Sequence, residues 1–203
     1  MSTPILALNK VQKVYKQGVL RPQTTFKLEA DMSFDRPQIV GLMGANGAGK
    51  TTLFELITGS NVLTSGNVLC VGQDIHKVKY NERDRLAIHY HQSYQVRQIK
   101  RRKPGFLLER SSTDYPQVHL FDEPQFNPQD GYIGFMLNFF RKLRDEGRLV
   151  FVCLHPTERY HMEIFRDLCD SFIFVHSGRL QTAQDFNSLM ANQHVSEYLS
   201  ASG

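Results

Sequence analysis

Gln38-Ile39-Val40-Gly41-Leu42-Met43, followed at once by Gly44-Ala45-Asn46-Gly47-Ala48-Gly49-Lys50-Thr51-Thr52, is the stretch that decides the fold. The first six residues are a short run, apolar after Gln38, which suits a strand buried on both faces. The next eight match the pattern G-x-x-x-x-G-K-[ST] in full. Glycines at these positions let successive backbone N–H groups face a polyphosphate at close range. A helix over Thr51–Thr58 adds the positive end of its dipole. Lys50 is placed to reach the β- and γ-phosphates, and the Thr51 hydroxyl to ligate Mg²⁺. With Gly near 7% of residues, a chance match to all four fixed positions is rare, on the order of one chain in a hundred. The strand before and the helix after make a mere glycine turn rarer still.

Such a loop needs an acidic partner at the end of a neighbouring strand. Val118-His119-Leu120-Phe121-Asp122-Glu123 supplies it. Asp122 is positioned to hold Mg²⁺ and Glu123 to polarise an attacking water. An isolated Asp-Glu pair at a strand end is usually a solvated terminus. The intact glycine loop upstream favours the chemical reading here.

Around these anchors the chain alternates strands and helices. Ile5–Val14 and Thr25–Phe34 read as strands joined by a Pro22-containing turn. Val62–Val71 reads as a strand with a turn at Ser65-Gly66. Leu86–His91, Leu149–Leu154 and Ser171–Val175 read as further strands. Helical periodicity runs over Ile133–Asp145, Glu158–Leu168 and Gln184–Met190. Phe106–Ser111 suits one or two helical turns. Early hairpins followed by alternation predict an α/β core, with an antiparallel part of the sheet on the N-terminal side.

Composition sets the outer bounds. The chain has 203 residues, 41% of them hydrophobic, which fits one large globular domain. No apolar run approaches the 18 residues of a membrane span. Cys70, Cys153 and Cys169 are odd in number and widely spaced, which argues against a disulfide framework or a zinc motif. These features predict a soluble protein of a reducing compartment. The net charge of +4 is uneven. Residues 1–103 hold 16 Lys and Arg against 7 Asp and Glu, a balance of +9, and residues 104–203 hold 8 against 13, a balance of −5. A basic half suits polyphosphate, nucleic acid, anionic lipid or an acidic protein patch, or else a plain solvated surface.

With these motifs in order, roughly residues 4–182 resemble the nucleotide-binding domain of ATP-binding cassette (ABC) proteins. Gly44–Thr52 is close to that family's phosphate loop, with Ala45 where Pro is usual. Ser65-Gly66 and Gly72-Gln73-Asp74-Ile75 are similar to its "SG-x-V … G-x-D-I" segment. Asp122-Glu123-Pro124 matches its Walker B acid, catalytic Glu and Pro. The resemblance implies a P-loop NTPase fold of ABC type. It implies that Tyr15 stacks on adenine and that Gly44, Asn46, Gly47, Gly49, Lys50, Thr51 and Thr52 bind the nucleotide. Gln92 falls where the family's Mg²⁺- and partner-sensing glutamine stands. His155, 32 residues after Glu123, matches the switch histidine that contacts the γ-phosphate. Ser177-Gly178-Arg179-Leu180 resembles the closing hairpin. His89 and His91 lie two apart on a strand with no third ligand evident, and read as sheet residues.

The departures are specific. Only 30 positions separate Gln92 from Asp122. The family places a helical subdomain and a Leu-Ser-Gly-Gly-Gln signature in this interval. Here the signature position falls on Gln98–Arg102, inside a basic run of Arg97, Lys100, Arg101, Arg102 and Lys103. The helical subdomain reads as reduced or absent. Pro128-Gln129 stands where the family has Leu-Asp. ABC sites are completed in trans by the partner's signature, so a stable ATP-driven homodimer is not expected, and hydrolysis is expected to be slow or partner-dependent. The basic run can substitute electrostatically, meet nucleic acid or lipid, or stay solvated.

The sequence therefore predicts one ABC-type domain over 1–190 and a polar tail over 191–203. The cofactors implied are ATP and Mg²⁺. The first functional class is the cytoplasmic ATP-binding subunit of a transporter, peripheral at the inner face of a membrane, with a permease or a second ABC subunit as partner. The alternative is a soluble ATP switch in a non-transport assembly or on nucleic acid.

Overall fold

The computed structural model describes residues 3–18, 20–91, 116–124, 132–156 and 159–202. Among these residues, ten strands form one sheet: β1 (Leu6–Gln17), β2 (Gln23–Phe34), β3 (Gln38–Met43), β4 (Ser65–Cys70), β5 (Gln73–Asp74), β6 (Ala87–His91), β7 (Val118–Asp122), β8 (Leu149–Cys153), β9 (Ser171–His176) and β10 (Arg179–Ala183). Their order is β5-β4-β1-β2-β10-β9-β3-β8-β7-β6. Strands β5, β4, β1 and β2 pair antiparallel, whereas β9, β3, β8, β7 and β6 pair parallel. The mixed sheet with its antiparallel N-terminal portion is the one expected.

Among the described residues, five α-helices accompany it: α1 (Lys50–Thr58), α2 (Tyr132–Asp145), α3 (Arg159–Leu168), α4 (Phe186–Met190) and α5 (Gln193–Ser202). The parallel strands are buried on both faces, and alternate residues feed two cores. Val40 and Leu42 of β3, Phe151 of β8 and Ile173 of β9 join Leu53, Phe54, Leu56 and Ile57 of α1 and the apolar side of β1, β2 and β4. The sheet thus curls around α1. Ile39 and Met43, Val150 and Val152, and Phe172 and Phe174 face the opposite way, onto α2, α3, α4 and α5. Each of the four α1 side chains contributes roughly 1.5–3 kcal/mol by burial, so α1 and the loop before it are held firmly.

Three expectations need correction. Val62–Thr64 lies outside β4, and Ser65-Gly66 opens that strand instead of turning within it. Gly66 (φ +85) packs against the carbonyls of Asn9 and Lys10, where β1 breaks register, so its missing side chain serves a strand-to-strand approach. The strand bearing Asp122 is not next to β3, because β8 lies between them. The segment read as a polar tail forms α5. Its Val195 is fully buried, and Tyr198 and Leu199 pack on the second core. These apolar residues at i, i+3 and i+4 make one helical face. The helical turns expected over Phe106–Ser111, the basic run Arg97–Lys103 and the Pro128–Asp130 segment lie outside the described residues.

Candidate functional site

Strands β3, β7 and β8 are parallel, so their C-terminal ends open on one edge of the sheet. That edge is where open α/β sheets bind ligands. The loop from β3 to α1 begins at Gly44 (φ +154). A Cβ there would collide with the carbonyl oxygen of Val175, so only glycine lets the chain pass so close to β9. Gly49, with φ 113, occupies the N-cap of α1, and no side chain caps that helix end. The first-turn N–H groups are therefore not claimed by a capping side chain.

Lys50 is 7% exposed. Its Nζ donates to Gly44 O at 2.7 Å and Ala45 O at 3.1 Å, which folds the cation over its own loop. One residue on, Thr51 Oγ1 donates to Asp122 Oδ2 at 3.3 Å, which joins the start of α1 to the end of β7 across β8. Asp122 is nearly buried, and His89 Nε2 of the adjacent β6 stands 3.4 Å from the same carboxylate oxygen. The carboxylate also marks its neighbour on β8. Burial first, then the Asp122 charge, push the Cys153 thiol well above its ordinary range, so that thiol is inert.

Glu123 should point away from Asp122, since successive strand residues face opposite sides. Its backbone instead turns left-handed at φ 50, while its N–H stays bonded to Cys153 O at 3.0 Å. This turn brings both acids to one cavity of about 520 Å³. Tyr15, Thr25 and Phe26 form one wall, and Asn46, Gly47, Gly49, Lys50, Thr51 and Thr52 the base, with Asp122 and Glu123 at the far side. Tyr15 is 36% exposed, and its hydroxyl accepts from Asn61 Nδ2 at 2.8 Å. Its ring lies 6.2 Å from that of Phe26. An aromatic wall facing a cationic, N–H-rich base suits a ligand with a flat apolar end and an anionic end. Thr51 and Asp122 present the hard oxygens that Mg²⁺ prefers, and the ion normally completes its shell with water and phosphate oxygens.

The structure thus gathers Tyr15, Gly47, Gly49, Asn46, Lys50, Thr51, Thr52, Asp122 and Glu123 around one cavity, with Gly44 at the loop entrance. His155 is not on the cavity lining. It follows β8 at the same sheet edge, and its Nδ1 lies 2.7 Å from the Tyr198 hydroxyl of α5. Gln92 lies outside the described residues. Sequence reasoning missed Thr25 and Phe26, which line the wall beside Tyr15. Their signal was strand alternation opposite Tyr15, since Tyr15 pairs with Phe26 in the β1–β2 register.

The fold is that of solved ATP-binding cassettes. Residues 28–105 match the family model described as ABC transporter. A nucleotide-free ATP-binding cassette from an ABC transporter superposes with a TM-score of 0.69 over 97% of this chain and 98% of its own, at 16% identity. An ATP-binding cassette in its ADP conformation gives 0.69 over 98% and 99%, at 15% identity. Among sequences, the lipoprotein-releasing system ATP-binding protein LolD of Xylella fastidiosa is 34% identical over 86 residues, 42% of this chain and 35% of that protein. The methionine import ATP-binding protein MetN of Latilactobacillus sakei is 42% identical over 73 residues, 35% of this chain and 20% of its own length. The matched stretch spans about a third or less of these curated relatives. Among the described residues, no helix is long and apolar enough to cross a membrane.

Proposed function

We propose that the chain binds Mg·ATP in the cavity between Tyr15 and Glu123 and serves as the ATP-binding subunit of a membrane transporter. The observation that carries the ATP reading is the Thr51–Asp122 contact at 3.3 Å on a base formed by the glycine loop. Tyr15 and Phe26 take the adenine face. Lys50 leaves the carbonyls of Gly44 and Ala45 for the β- and γ-phosphates, exchanging neutral acceptors for charged ones. Thr51 and Asp122 would hold Mg²⁺, whose charge would offset that of the phosphates. Glu123 accepts a proton from the attacking water. His155 donates to the γ-phosphate, and Gln92 completes the metal and partner contacts. The transport reading is supported by relatives named for lipoprotein release and methionine import. It places the protein on the cytoplasmic side of a membrane beside a permease or a second ABC subunit.

A second reading is a soluble ATP switch in a non-transport assembly or on nucleic acid. The 30-position interval between Gln92 and Asp122 favours it, because a helical subdomain that receives a membrane partner has little room there. Co-purification from the native host separates the two. A permease in the eluate supports transport. A soluble assembly or nucleic acid without a permease contradicts it.

A further inference from the structure

We infer that Tyr198, on the C-terminal helix, is a positioning residue for His155. The inference rests on the reading of His155 as a γ-phosphate donor, and it adds α5 to the ATP site.

The helix is docked along its length. Asn192 caps its start, accepting from His194 N through Oδ1 at 2.9 Å, while its own Nδ2 donates to Gln181 Oε1 of β10 at 2.6 Å. The His194 ring stacks on His176 of β9 at 4.5 Å and 8°. Val195 is fully buried one residue later. Tyr198, one turn on from His194 and Val195, packs its ring 5.8 Å from Phe174. Its hydroxyl arrives 2.7 Å from His155 Nδ1, with the two rings 5.9 Å apart and inclined at 60°. The contact is thus delivered by a helix fixed at three earlier points. His155 stands two residues beyond β8, and Cys153 of that strand accepts the Glu123 N–H, so both groups hang from one strand end.

The chemistry follows from the two ring nitrogens. A neutral imidazole carries one proton, and the bond made by one nitrogen sets the role of the other. With the phenol O–H donating to Nδ1, the proton resides on Nε2. That nitrogen lies on the ring side away from Tyr198 and is a donor, as contact with a phosphate oxygen requires. A phenylalanine at 198 keeps the ring contacts with Phe174 and His155 but releases Nδ1. His155 then samples both tautomers and several orientations.

The test uses the full-length protein and the variants Tyr198→Phe, His155→Ala and the double substitution. In the nucleotide-free wild type, ¹⁵N spectra of His155 should show Nδ1 as an unprotonated acceptor and Nε2 bearing the proton. Tyr198→Phe should move the Nδ1 resonance and mix the tautomers. With Mg·ATP, it should lower kcat about tenfold with little change in KM, because only transition-state contact is impaired. It should lower kcat no further in the His155→Ala background. An unchanged Nδ1 resonance, or an equal loss in both backgrounds, overturns the inference. Absence of ATP affinity in the wild type would instead overturn the ATP reading, and the ¹⁵N result would then decide the role of Tyr198 alone.

Discussion

Thr51 Oγ1 lies 3.3 Å from Asp122 Oδ2, although 71 positions separate the two residues in sequence. The contact is built by topology. α1 starts at the end of β3, β7 ends two strands away, and the parallel register with β8 brings both ends level. Two hard oxygens that close together, beside a loop cation, are the donor set on which the proposed Mg²⁺ site rests.

Asp122→Asn should therefore abolish the Mg²⁺-dependent part of ATP affinity and leave the affinity measured in EDTA nearly unchanged. The amide keeps the shape and loses the charge. Titration calorimetry with and without Mg²⁺ reads both quantities. Equal weakening in both conditions would make Asp122 a structural residue.

Glu123→Gln should retain Mg·ATP affinity and lose turnover by about a hundredfold or more, since an amide cannot take a proton from water. Steady-state phosphate release and equilibrium binding on the same preparation check this. Parallel loss of both would point to a structural or metal-ligating role for Glu123.

The architecture was legible to the extent that it is local. The buried run Gln38–Met43, the glycine loop and the acids ending β7 each carry their own pattern, and the structure places them as read. Non-local features escaped. Nothing in the Val118–Asp122 segment says that β8 inserts between it and β3. The left-handed turn at Glu123 has no glycine to announce it. The tail hid α5 because Val195, Tyr198 and Leu199 are the only sizeable apolar residues among polar ones, and their value appears only against Phe174 and the rest of the second core. His155 was singled out by its place after a strand, but Tyr198, which it meets, lies 43 positions away.

Acid should destabilise the protein partly through His119. Burial, reinforced by the Arg148 charge, lowers its pKa from the ordinary value near 6.5 to about 3. The folded form keeps the ring neutral, while the unfolded chain protonates it below about 6.5. The unfolded state therefore binds more protons between these values. Stability from this group is full above the unfolded pKa and falls by about 1.4 kcal/mol per pH unit as pH drops towards 3. Urea melts of the wild type and His119→Gln between pH 7 and 4.5 should show a shallower slope for the variant. Identical slopes would contradict this.

The Glu123→Gln protein should stay monomeric at saturating Mg·ATP when scattering is measured on it alone. Residues 98–102 offer no Ser-Gly-Gly backbone for a partner's γ-phosphate, and five cations between Arg97 and Lys103 repel their copies. A tight ATP-dependent homodimer would mean that the basic run replaces the signature.

The account stands most directly on calorimetric titration of Mg·ATP into the wild-type protein and Lys50→Ala. The wild type should bind one ATP per chain. Removing this buried cation at the cavity base should weaken binding about a hundredfold, equal to about 2.7 kcal/mol. Equal affinity in the two proteins, or none in the wild type, would contradict the assignment of this cavity to ATP.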